Sequence, residues 1–152
     1  MMQHAESFRD LIVYQKARKV AQRFFDLSKA FPKEERYSLT DQGCCSSRSI
    51  GAQIAEAWAK RGYKKHLVSK LSDSDGEQQE RQHWVDTVLD CGYLTGAIRD
   101  ELVDELERMG RMLQSMVDKA DLFCGPSVRG VREGTVEYFV HRSPITDHRS
   151  PE

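Results

Sequence analysis

Apolar side chains recur along this chain at alternating steps of three and four, the spacing of a helix with one buried face. The first such stripe is Val13, Ala17, Val20, Phe24, Leu27 and Phe31, broadened by Phe8, Leu11, Tyr14, Ala21 and Phe25. It predicts a helix over residues 8–30, with Ser7 as N-cap and Asp10 in the first turn. So wide a face implies contact with more than one neighbour. Pro32 disfavours the αR conformation at Phe31 and ends the helix there. A second helix is predicted over residues 39–61, opened by Ser38 or Thr40 with Asp41 in its first turn and closed by Gly62 in the left-handed conformation. Its stripe is Cys44, Ser47, Ile50 or Gly51, Ile54, Ala55 and Trp58, with Arg48, Ala52, Gln53, Glu56 and Lys60 on the opposite face. The first half of that stripe is nearly all small, so another helix can approach it closely.

The third stripe, over residues 63–91, opens with Leu67, Val68 and Leu71 and closes with Trp84, Val85, Val88 and Leu89, yet residues 72–83 contain nothing apolar. A continuous helix is expected, because QQERQHWVDTVL is rich in helix formers and the stripe resumes in phase. The line from Leu71 to Val85 then passes through Ser74, Asp75, Gln78 and Gln82, turning polar groups toward the other helices. A break, if there were one, would fall at Gly76. Gly92 ends the helix and Thr95 caps a fourth from Gly96 to about Phe123, with the core line Ile98, Leu102, Leu106, Met109, Leu113, Met116, Ala120 and Phe123. Four amphipathic helices joined by short loops predict an all-α, antiparallel up-down four-helix bundle over residues 1–124. Residues 125–152, with three of the four prolines, read as an irregular tail in which only Val136–Val140 has the character to dock on a neighbour.

Composition adds little to this picture, but charge does. A length of 152 residues with 31% charged and 39% hydrophobic side chains is that of one globular domain. No signal peptide and no membrane span is apparent, so a cytoplasmic protein is expected. The net charge of −1 hides a division: residues 1–71 carry 14 Lys and Arg against 7 Asp and Glu, whereas residues 72–124 carry 5 against 13. Such asymmetry points to a charged partner, or to a basic helix satisfied by an acidic one within the bundle. Cys44, Cys45, Cys91 and Cys124 have no CxxC spacing and read as reduced thiols, small and easily buried.

Three constellations bear on function. Helical bundles house two metal ions with a Glu from each of two helices and a Glu-x-x-His from each of the other two; here Glu80 and His83 form a single copy, so no metal, cofactor or catalytic residue is assigned. A metal- or thiol-dependent enzyme built on Glu80, His83 or a cysteine is the rival reading. Lys60, Arg61, Lys64, Lys65 and Lys70 cluster at the turn between helices two and three, with Tyr63 and His66 among them; together with Arg48 they are the candidate contacts to a phosphate backbone. Arg48 is also expected to reach Asp75, Glu77 or Glu80 on helix three, in the bundle or at a subunit seam, explaining the polar interruption.

Four ordered motifs carry a resemblance: FRDLIVYQKA (Phe8–Ala17), FPKEERYSLTDQ (Phe31–Gln42), SRSIGAQIAEA (Ser47–Ala57) and CGYL (Cys91–Leu94). Over residues 8 to about 124 the chain resembles the four-helix-bundle proteins encoded in intervening sequences of bacterial 23S ribosomal RNA genes, a family that includes the accessory variability protein of diversity-generating retroelements. The resemblance implies a barrel- or cone-shaped homopentamer, and for the retroelement member binding of a reverse transcriptase and nucleic acid through a basic surface. After Thr40-Asp41-Gln42 the family commonly has an apolar and two basic residues, whereas here stand Gly43, Cys44 and Cys45. The expectation is therefore a non-enzymatic, homo-oligomeric interaction or scaffold protein whose partner is itself and RNA, DNA or a nucleic-acid-processing protein; a protein-only binding module is the other non-catalytic reading.

Overall fold

A computed structural model describes residues 5–124, whose regular structure is helical, with four long helices. α1 spans Ile12–Ser28, α2 Asp41–Ala59, α3 Lys64–Asp90 and α4 Gly96–Asp118. α1 packs on α2 and α4, and α3 packs on α2 and α4. The main core takes Val13, Ala17 and Val20 from α1, Ile50, Ile54 and Ala57 from α2, Leu67, Leu71 and Val85 from α3, and Leu102, Leu106, Met109, Leu113 and Met116 from α4. A smaller cluster of Phe24, Phe31, Leu39 and Val88, flanked by Cys44, Trp84 and Tyr93, fills the end where α1 stops and α2 starts. None of the described helices is long and apolar enough to cross a membrane. Val136–Val140 and the rest of the tail lie outside the described residues.

The element ends follow local chemistry, in places differently from expectation. Ser7 does cap, but it caps a short 3-10 turn, Phe8–Asp10: its hydroxyl accepts from Arg9 N, and Asp10 reciprocates by accepting from Ser7 N at 3.0 Å. Leu11 then adopts an extended conformation before α1 begins. Neither Ser38 nor Thr40 caps α2, because a 3-10 turn (Lys33–Glu35) and a π turn (Arg36–Thr40) wind the chain before Asp41 and supply the carbonyls that a cap would replace. Ser38 instead donates to Glu35 Oε2 at 2.6 Å. Nor does Gly62 take the left-handed conformation; Gly92 does, at φ 78°. There Gly92 N donates to Leu89 O and Tyr93 N to Val88 O, a Schellman ending that turns the chain sharply into α4. Thr95 then accepts from Ile98 N at 3.2 Å and caps α4, as its sequence indicates.

α3 runs unbroken through Gly76. A Cβ added there would meet nothing within 4 Å. Gly76→Ala should therefore raise stability by about 1 kcal/mol, the helix-propensity difference alone. A lower melting temperature for that variant would contradict a regular helix at this position.

Candidate functional site

The polar middle of α3 is buried against the small face of α2. Following Leu71, the inward line takes Ser74, Gln78, Arg81, Val85 and Val88, all buried. This corrects the expected line through Asp75 and Gln82, and it adds a residue that the line left out. Ser74 Oγ donates to Ile50 O of α2 at 3.1 Å. Gln82 donates to Gln78 Oε1 and Gln78 in turn to Asp75 Oδ1, a ladder along the α3–α4 seam, where Gly110 of α4 leaves room for Gln78.

Arg81 has no exposed surface. Its guanidinium carbon lies 3.2 Å from the centroid of the Phe24 ring, and one terminal nitrogen donates to Gly43 O at 2.6 Å. Gly43 makes this approach feasible, because a Cβ there would stand 2.6 Å from two Phe24 ring atoms and 3.1 Å from that same nitrogen. Ser46 and Ser47 also donate to Gly43 O, at 3.2 and 2.8 Å, so one carbonyl gathers three side-chain donors. Nε and the other terminal nitrogen of Arg81 have no hydrogen-bond partner. Burial without a carboxylate pushes its pKa down to about 9, and the neighbouring acidic group that opposes this is the Cys44 thiol. The spacing of three from Gln78 and four to Val85 was the signal for Arg81; its formal charge argued the other way.

Arg48 does not form the pairing expected of it within the chain. It is exposed on α2, with its guanidinium 5.5 Å from the Phe25 ring of α1. Asp75 accepts from Gln78 and Gln79, and Glu80 accepts from the Trp84 indole. Glu77 has its pKa raised, first by burial and then by Glu80 and Asp73. Arg48 instead rims a groove of about 620 Å³ between α1 and α2, with Arg18 and Lys19 across from it and Ala17, Gly51 and Ala55 in its lining. These cations come from separate stretches of sequence, and only the packing of α1 on α2 unites them.

The basic turn between α2 and α3 is present but partly neutralised. Lys60 and Lys65 are exposed, and Arg61 lies 4.1 Å over the Trp58 ring while donating to Trp58 O. Lys64 pairs with Asp121 at 3.0 Å, and Lys70 pairs with Glu56 at 2.8 Å. The bond to Glu56 raises the Lys70 pKa, and the same bond lowers that of Glu56. Between these cations Tyr63 is 72% exposed, with its ring 5.6 Å from that of His66. Exposed ion pairs of this kind are weak, so a polyanion can compete for both lysines.

Glu80 and His83 are exposed, and His83 rests against Trp84, 5.1 Å between rings. Among the described residues no three His, Cys, Asp or Glu side chains converge as metal ligands would. None of the four cysteines forms a disulfide; Cys44 and Cys124 are half-buried, whereas Cys45 and Cys91 are exposed, against the expectation that all are packing residues. Burial raises the Cys124 pKa.

Comparison with known proteins places this geometry. The family described as 23S rRNA-intervening sequence protein matches residues 9–115. Among solved structures, a protein of unknown function from the S23 ribosomal protein family of Bacteroides thetaiotaomicron VPI-5482 superposes with a TM-score of 0.64 at 23% identity, covering 70% of this chain and 96% of its own. At that identity the likeness concerns the fold. No curated protein matches the chain.

Proposed function

We propose, for a chain that belongs to the 23S rRNA-intervening sequence protein family, a non-enzymatic role as a cytoplasmic, homo-oligomeric scaffold that binds nucleic acid at the turn between α2 and α3. The observation that carries this reading is Tyr63, an aromatic ring 72% exposed beside His66 and between the exposed Lys60 and Lys65. An exposed ring among cations suits a strand whose bases stack while its phosphates are neutralised. Lys64 and Lys70 extend the cationic surface once Asp121 and Glu56 are displaced. Self-assembly, as a pentamer on the family pattern, is supported by charge: the groove rimmed by Arg18, Lys19 and Arg48 complements the exposed Asp100, Asp104 and Glu107 of α4, which fits a head-to-tail ring.

Titration of labelled RNA and DNA, single-stranded and folded, at low and moderate salt tests the reading. Lys60→Ala with Lys65→Ala should weaken binding evenly across sequences and flatten the salt dependence by about two phosphate contacts. Tyr63→Ala should cost about 1–3 kcal/mol on single strands. Failure of every oligonucleotide to bind at low salt would remove the proposal, and a monomer by light scattering would remove the ring.

A further inference from the structure

A separate cavity, of about 380 Å³, lies between the end of α1 and the start of α2 and shares only Phe25 with the α1–α2 groove. That volume falls at the lower end of the range for small-molecule sites. Phe25, Phe31 and Pro32 give it an apolar lining, and three cations from three elements line it too. Lys29 follows α1, Lys33 opens the 3-10 turn and Arg36 opens the π turn. Among the described residues no carboxylate joins them in the lining. Glu35, next to Arg36, is held elsewhere, accepting from Ser38 at 2.6 Å and from the Tyr93 hydroxyl at 3.3 Å. Lys29 pairs with Asp26 at 3.2 Å, whereas Lys33 and Arg36 are exposed and have no acidic partner among the described residues. Thr40, half-buried at the far end of the π turn, lines the same cavity, and its hydroxyl caps nothing. A π turn is rare and recurs at functional sites; this one brings a guanidinium and an unused hydroxyl to one cavity.

We infer that this cavity binds a small organic phosphate whose body is a flat ring, a nucleoside monophosphate being the simplest case. Charge and lining select it together. A phosphate monoester carries about two negative charges at neutral pH, which match the two unpaired cations. The Arg36 fork takes two of its oxygens, Lys33 supplies a point charge, and Thr40 donates to a third oxygen. Lys29 has a different part, because its ammonium lies 4.9 Å over the Phe25 ring and its exposed pairing with Asp26 is weak. A bound phosphate draws Lys29 off the ring and uncovers that face for the base, which packs on Phe25 and the exposed Pro32. An inorganic anion would use the cations and leave the apolar lining idle. The inference is independent of nucleic-acid binding, because this cavity lies before α2 and Tyr63 lies beyond its end.

Saturation-transfer NMR on the full chain at low salt tests the site with AMP and adenosine as observed ligands and inorganic phosphate as competitor. AMP should saturate below about 10 mM, and on the order of tenfold more tightly than adenosine or phosphate. Lys33→Ala with Arg36→Ala, both at exposed positions, should weaken AMP on the order of tenfold or more, through lost charged hydrogen bonds, and should leave oligonucleotide binding unchanged. Lys60→Ala with Lys65→Ala should do the reverse. Thr40→Val, which removes only the hydroxyl, should cost on the order of fivefold. Absence of saturable AMP binding, adenosine binding as tightly as AMP, or AMP binding indifferent to the Lys33 and Arg36 substitutions would each overturn the proposal. Phosphate competing as tightly as AMP would make this an anion site without a place for a ring, and overturns it as well. AMP binding retained where every oligonucleotide fails would support this cavity and remove the nucleic-acid reading alone.

Discussion

Arg81→Met is expected to make the reduced protein more stable, by on the order of 1–4 kcal/mol, as when other buried charges give way to apolar residues of similar volume. Four contributions decide the sign. The guanidinium gains its stacking on Phe24, worth about 2 kcal/mol when desolvated, and one charged hydrogen bond, worth about 1.5–3 kcal/mol. Against these stand the removal of a full charge from water and two unmade hydrogen bonds, each about 1–3 kcal/mol. Methionine fills the space with a flexible apolar chain and leaves Gly43 O still bonded by Ser46 and Ser47. Burial holds the folded-state pKa at about 9, well below the ordinary arginine value, so from about 9 up to that ordinary value the unfolded chain binds more protons than the folded one. The penalty is therefore present in full below about pH 9 and fades as pH rises through it. Denaturant titrations of both proteins should show the largest difference near neutrality and a shrinking one in alkali. A variant more than about 1 kcal/mol less stable than the parent at pH 7 would mean that the guanidinium has an anion within the bundle.

Gly43→Val should be as costly in the other direction, about 3 kcal/mol or more. The new side chain begins 2.6 Å from the Phe24 ring, which is fully buried, packed edge-on against Phe31 at 5.8 Å and covered by Arg81. Gly43→Ala should still destabilise, because overpacking of about 1–3 kcal/mol exceeds or cancels the gain of about 1 kcal/mol in helix propensity. Gly51→Ala is the control. Its Cβ would meet Tyr14 at 3.6 Å and Ala17 at 4.0 Å, ordinary contacts, so the propensity gain should appear unopposed. Thermal melts of the three variants check the order, and equal effects of alanine at positions 43 and 51 would contradict the packing described.

The elements were legible because each rests on a local cause. The stripes of α1 and α4, the Thr95 cap and the continuity of α3 follow from helical spacing and backbone chemistry within a few residues. The missed features all depend on contacts between distant stretches. Gly43 reads in sequence as one more small residue, and only the position of Phe24 on α1 shows that nothing larger fits. Arg81 was passed over because a charged residue is ordinarily placed outside, although its spacing marked it as inside. The groove cations Arg18, Lys19 and Arg48 are separated by a loop and a turn, so no local pattern groups them. The basic turn was visible as composition; that Glu56 and Asp121 already occupy two of its lysines was not, since Asp121 lies beyond α4.

The order in which the helices pack also bears on how the chain reaches this state. Three of its four main interfaces join helices adjacent in sequence, and only the α1–α4 seam closes over most of the chain. Short connections make such contacts cheap in loop entropy and quick to form. α2 and α3, joined by the turn from Lys60 to Tyr63, bring Arg81 to the Gly43 carbonyl. The docking of Phe24 on the guanidinium must then wait for α1. A hairpin of α2 and α3 alone leaves that face of the cation open to water, so its full desolvation requires α1 in place.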